Sequence, residues 1–128
     1  MKIDAVAVTS GDMKKAVEFY TLLGFQFGPI TEDTQHVEPI SNGRDTRLMI
    51  DHKDLMKKIT GTAPVPPSHS TFAVLCESPE DVDVVTEKVK DAGFTVIKEP
   101  WDAFWGQRYA IVADPDGYMV DLFAPLEK

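Results

Sequence analysis

The chain has 128 residues, with 13 Lys plus Arg against 21 Asp plus Glu for a formal net charge of −8, and it is 43% apolar and 27% charged. That length and mix suit one ordinary globular domain. Cys76 is the only cysteine, which excludes a disulfide scaffold; the acidic balance argues against nucleic acid as a partner; and no apolar stretch approaches the roughly 20 residues of a membrane span.

Met1 to Gly11 lacks the charged-then-apolar pattern of a signal peptide, so a cytoplasmic location is expected. Ala5-Val6-Ala7-Val8 reads as a first strand. Asp12 is placed to cap a helix, and Met13, Ala16, Val17, Tyr20 and Leu23 recur at spacings of three and four. Gly24 stands where a left-handed residue ends such a helix. Extended stretches are expected at Phe25–Phe27, Gln35–Ile40 and Thr46–Ile50, with Ser41-Asn42-Gly43 as a turn. Asp51–Ile59 reads as a short extra helix, with His52 at its solvated start. Thr60–Ser68, with three prolines and a glycine, reads as a linker.

Thr71-Phe72-Ala73-Val74 then opens a second copy of the same pattern. Ser78-Pro79-Glu80-Asp81 supplies a cap, a proline for the first turn and an acid at the third position. Val82, Val85, Val89 and Ala92 form the stripe, and Gly93 ends it. Phe94–Lys98, Gln107–Ala113 and Tyr118–Phe123 read as strands, with Asp114-Pro115-Asp116-Gly117 as a turn rather than a calcium loop. The expected fold class is α+β: two tandem β-α-β-β-β modules, 1–59 and 69–128 with linker 60–68, forming curved mixed sheets around a cavity. A module of about 60 residues buries little surface alone. The two are therefore expected to share one core, in a homodimer, paired either within one chain or across the dimer.

Strand alternation turns Val6, Val8, Phe72, Val74, Val120 and Leu122 toward the helices. Ala5, Ala7, Thr71, Ala73, Leu75, Met119, Asp121 and Phe123 then line the opposite, mostly apolar face, with Gln107 and Arg108 as further candidate polar anchors. His36 and Glu38 lie two apart on one strand and share a face. A solvated edge, a proton-transfer pair in a ligand cavity and a displaced metal site all fit that spacing. Trp101, Phe104, Trp105 and Tyr109 fall within nine residues and include both tryptophans. Such rings either plug a gap between modules or subunits or stack on a planar ligand. Cys76 reads as an inert core thiol, and His69 as an exposed residue.

The tandem pattern resembles the vicinal-oxygen-chelate superfamily, which includes glyoxalase I, extradiol dioxygenases, fosfomycin-modifying enzymes and bleomycin-resistance proteins. The residues that carry the resemblance are Glu99-Pro100-Trp101-Asp102-Ala103-Phe104-Trp105-Gly106-Gln107-Arg108-Tyr109, Asp114-Pro115-Asp116-Gly117, Val120-Asp121-Leu122 and the helix ending Glu18-Phe19-Tyr20 before Leu23-Gly24-Phe25. In metal-dependent members, the resemblance implies ligands at positions that fall here on Ala5, Thr71, Asp121 and Met49, or Asp51 if the register slips. Ala5 has no ligand atom and Thr71 only a hydroxyl, so no metal or other cofactor is expected. The resemblance thus implies a metal-independent binder of a drug-like, aromatic or cationic small molecule, of the kind tied to antibiotic resistance. Its ligand-binding residues would be His36, Glu38, Met49, Thr71, Trp101, Phe104, Trp105, Gln107, Tyr109 and Asp121. One alternative is a glyoxalase-like lyase or isomerase, or a dioxygenase-like enzyme, using His36, Glu38 or Asp121 as acid–base groups. Another is a dimeric interaction module that buries the aromatic cluster between subunits.

Overall fold

The computed structural model describes residues 3–40, 45–62 and 72–126. The turn 41–43, most of the linker, His69 and Thr71 lie outside the described residues. Contacts divide the chain into two compact units, Met1–Pro66 and Pro67–Lys128. Each carries one mixed sheet with helical cover.

In the first unit the order is β1 (Ala5–Ser10), α1 (Met13–Leu22), β2 (His36–Val37), β3 (Arg47–His52) and α2 (Lys53–Thr60). The strands lie in the order β1-β3-β2, with β1 parallel and β2 antiparallel to β3. Asp12 caps α1, its carboxylate accepting from the Lys15 amide at 3.1 Å. The stripe of α1 buries Met13, Ala16, Phe19 and Tyr20, and Val8, Leu48 and Ile50 are buried on the strands. Phe19 meets Tyr20 edge-to-face at 5.0 Å, a contact that fixes both rings.

The second unit runs β4 (Phe72–Leu75), α3 (Pro79–Asp91), β5 (Thr95–Ala103), β6 (Gln107–Ala113) and β7 (Met119–Pro125). Its sheet order is β4-β7-β6-β5, with β4 parallel to β7 and the other pairs antiparallel. Ser78 caps α3 through the Asp81 amide, at 3.1 Å. Val82, Val85, Thr86 and Val89 of α3 are buried, as are Ala110, Val112, Val120, Leu122 and Ala124 on the sheet. In the turn that follows β6, the Asp114 carboxylate accepts from the amides of Asp116 and Tyr118, each at 2.9 Å. The first strand of each unit thus pairs parallel with its last, so the repeat read in the sequence is a repeat of topology.

Four expectations change. Phe25–Phe27 is not a strand: the Gln26 carbonyl accepts from the Ile40 amide at 2.7 Å, and Gly28-Pro29 follows at once. A single bond does not make a ladder, and proline removes a donor. Likewise only His36–Val37 of the stretch 35–40 pairs, and Pro39 stands just beyond it. The third correction concerns Asp51 and His52, which belong to β3 rather than to a helix. Asp51 is 7% exposed, and the His52 ring caps α2 by accepting from the Asp54 amide at 3.0 Å. β5 is longer than expected because two bulges let it run on past Lys98 to Ala103. Pro100 lies at the second bulge on an edge strand, a place where a missing N–H costs no ladder bond.

Candidate functional site

Each sheet has a face turned away from its helices, and each such face carries one group of expected site residues. In the first unit, Ala5, Ala7 and Thr9 of β1 stand beside Arg47, Met49 and Asp51 of β3, and Asp51 pairs across to His36. Cross-strand partners share a face. The His36 ring bridges two carboxylates, with Nδ1 2.5 Å from Asp51 Oδ1 and Nε2 2.9 Å from Glu38 Oε2. Arg47 then donates to Glu38 Oε1 at 2.8 Å and to Asp4 Oδ2 at 2.8 Å. The Asp51 carboxylate, and next the Glu38 carboxylate, raise the His36 pKa above its ordinary 6.5. The same His36 bond, and then Arg47, lower the Glu38 pKa. Carboxylates only accept, so a bridge to both is made by the imidazolium, which donates at both nitrogens.

His36 and Glu38 are thus brought together, and Met49 shares their face. Asp51 enters as the partner of His36, a role that spacing in the sequence did not suggest. This geometry does not fit a metal. Both His36 nitrogens face carboxylates, Ala5 offers a methyl group, and no group of three His, Cys, Asp or Glu is arranged to hold an ion among the described residues.

The second unit gathers the aromatic residues. Trp101 of β5 pairs with Tyr109 of β6, and Tyr109 pairs with Phe123 of β7. Asp121 lies between Ile111 and Ala73. Phe104-Trp105-Gly106 makes a three-residue hairpin loop, and Gly106 supplies its left-handed residue at φ 92. The hairpin holds two rings at its tip: Phe104 is 91% exposed and Trp105 48% exposed. Trp105 makes edge-to-face contacts with Phe104 at 5.0 Å, Tyr109 at 5.3 Å and Trp101 at 5.6 Å. Its indole N–H donates to Gln107 Oε1 at 2.8 Å, so Gln107 orients the ring. Burial, then hydrogen bonding to Asp121, pushes the Tyr109 phenol up to about 12, so it stays neutral and donates to that carboxylate. The Trp101 indole N–H is buried without a hydrogen-bond partner among the described residues.

Trp101, Phe104, Trp105, Gln107, Tyr109 and Asp121 therefore form one cluster. Arg108 is a correction: it faces α3, clasping Asp83 at 2.9 and 3.2 Å, and bonds Asp102 of β5 at 3.1 Å. The sequence reading also missed Lys98, whose ammonium lies 4.7 Å from the Trp101 ring centroid. The signal was Pro100, since a bulge there shifts alternation and puts Lys98 and Trp101 on one face. Among the described residues, hollows of about 240 and 260 Å³ lie in the first unit, below the roughly 300–1,000 Å³ of enclosed ligand pockets, and the aromatic cluster borders neither of these.

A family model described as the Glyoxalase/Bleomycin resistance protein/Dioxygenase superfamily matches residues 2–122. The chain is similar to a crystal structure described as a glyoxalase/bleomycin resistance protein/dioxygenase from Nocardioides. That match has 26% identity and a TM-score of 0.71, covering 99% of this chain and 85% of that one. It is also similar to a glyoxalase-related enzyme from Fulvimarina pelagi, at 19% identity and TM-score 0.79 over 96% of this chain and 87% of that one. A hypothetical protein of S. aureus aligns at 22% identity and TM-score 0.77, covering 94% of this chain and 91% of that one. At these last two identities the likeness concerns the fold. Uncharacterized proteins of Mycobacterium bovis and Mycobacterium tuberculosis are 40% identical over 48 residues, which is 38% of this chain but only 32% and 28% of theirs. No helix among the described residues is long and apolar enough to cross a membrane.

Proposed function

The chain belongs to the glyoxalase/bleomycin resistance protein/dioxygenase superfamily, and we propose that within it this protein is a metal-independent binder of a planar, aromatic or cationic small molecule. The observation that carries the reading is the edge-to-face cluster around Trp105. Large rings that a hairpin holds in solvent give up apolar contact unless something covers them. A flat ligand stacked there would recover that contact, and the Asp121 carboxylate beside Tyr109 gives a charge that favours a cation. Metal independence rests on the donor set, in which Ala5 stands at an inherited ligand position. The reading carries with it a homodimer, which sedimentation would test, in the cytoplasm, which cell fractionation would test.

The experiment is a thermal-shift screen of planar cationic and planar neutral compounds. A ligand at one hundred times its Kd should raise Tm by roughly 10 °C in a protein of this size. Replacing Trp105 by Ala should abolish the shift. A panel in which no planar compound moves Tm would remove the reading. Stoichiometric Mn, Ni, Zn or Fe in protein purified without chelator would overturn metal independence and favour a dioxygenase-like enzyme.

A second reading, a lyase or isomerase, is favoured by the His36 bridge. A histidine oriented by a buried carboxylate is a suitable proton carrier. Exchange of solvent deuterium into a carbon next to a carbonyl, lost in His36→Gln, would support it.

A further inference from the structure

Lys98 is exposed on the edge strand β5, yet its ammonium lies over the Trp101 ring, 4.7 Å from the centroid. Glu99, the next residue, turns to the helix and pairs with Lys90 at 2.7 Å. The bulge between Lys98 and Trp101 is what places the lysine on the same side of the sheet as the indole. An indole face attracts a cation through its quadrupole, and methylated ammonium ions exploit such faces because they are weakly hydrated.

We infer that the Trp101 ring face is a binding site for the alkylammonium group of the ligand, and that Lys98 occupies it in the free protein as a tethered competitor. The inference rests on the proposed binding role of the aromatic cluster and names the chemistry of its ligand. The ligand's planar part lies on the rings around Trp105, while its ammonium displaces Lys98 from Trp101. Specificity follows from the exchange. A neutral ligand of the same shape gains nothing at Trp101, because it would replace a cation–π contact with a weaker one. An alkylammonium replaces like with like and frees a flexible lysine to solvent.

The test uses the two indole N–H resonances of the full chain, assigned with Trp101→Phe and Trp105→Phe, at fixed ionic strength. Choline is the probe, and 3,3-dimethylbutan-1-ol is its neutral isostere. Choline is expected to shift the Trp101 resonance, and Lys98→Thr to tighten choline by about 3- to 6-fold, the occupancy an exposed cation–π contact gives a tethered competitor. Lys98→Arg, which keeps a cation over the ring, should restore the weaker binding. Lys88→Ala, which removes the same charge from α3, should leave it unchanged. The alcohol should bind more weakly than choline with or without Lys98, because it forms no cation–π contact at the freed ring.

Unchanged or weaker choline binding in Lys98→Thr would overturn the inference, as would alcohol binding as tight as that of choline. The binding role of the cluster would then stand or fall separately on the planar compounds of the thermal-shift screen. If neither those compounds nor choline moves an indole resonance, both ideas fail.

Discussion

Replacing Asp51 by Asn should loosen the His36 bridge in a pH-dependent way. Asparagine keeps an acceptor oxygen for Nδ1 but removes the charge that is the largest cause of the raised His36 pKa. A hydrogen bond to a charged group contributes about 1.5–3 kcal/mol when shielded. The Asp51 side chain is only 10% exposed but the His36 ring is 43% exposed, so screening reduces the expected loss to about 1 kcal/mol. A histidine whose folded pKa is raised adds stability that is complete below the unfolded value of 6.5 and vanishes as pH rises through the folded value. Glu38, with its lowered pKa, adds stability that is complete above 4.5 and is lost as pH falls through its folded value. The wild-type bridge is therefore strongest between about 4.5 and 6.5. The deficit of Asp51→Asn should be present near pH 6 and shrink at pH 9. Urea unfolding at the two pH values measures it, and the His36 ring carbon resonance follows the pKa directly. In the variant that pKa should move toward 6.5 while Glu38 still holds it up. An unchanged His36 titration, or an equal deficit at both pH values, would refute the reasoning.

Leu122→Ala should cost about 2–5 kcal/mol in urea unfolding, because Leu122 is fully buried between α3 and the sheet and its removal leaves a cavity. Ser78→Ala should cost about 1 kcal/mol by removing the α3 cap, and Ser78→Asp should retain most of it. Cys76, with a thiol pushed up to about 11 first by burial and then by Asp81, should react slowly with a thiol reagent at pH 8 and rapidly in urea. Fast labelling of the native protein would contradict its placement.

The helices were legible because their signals are local. Asp12 and Ser78 cap amides three residues on, and the stripes of Met13, Ala16 and Tyr20 and of Val82, Val85 and Val89 repeat within a few turns. Strand faces were legible where alternation is unbroken, as from Met119 to Phe123. Legibility ended where a partner lies far away. His36 and Asp51 are fifteen residues apart and meet through the pairing of β2 with β3, and Arg108 finds Asp83 across twenty-five. Bulges in β5 moved Lys98 onto the face of Trp101, against simple alternation.

Composition and spacing alone determined an acidic, disulfide-free α+β repeat, the caps and stripes of its two longer helices, and a run of aromatic residues around Trp105. The family resemblance, not spacing, put Ala5, which has no donor atom, at a ligand position. The tertiary structure decided which polar groups act together, because hydrogen bonds depend on strand register and register is set by packing across the whole sheet. It made Asp51 a partner of His36, turned Arg108 to the helix, and laid Lys98 over Trp101. The acidic balance read at the outset becomes specific there: Asp121 stands beside the rings, and the cation on the Trp101 face belongs to the chain itself.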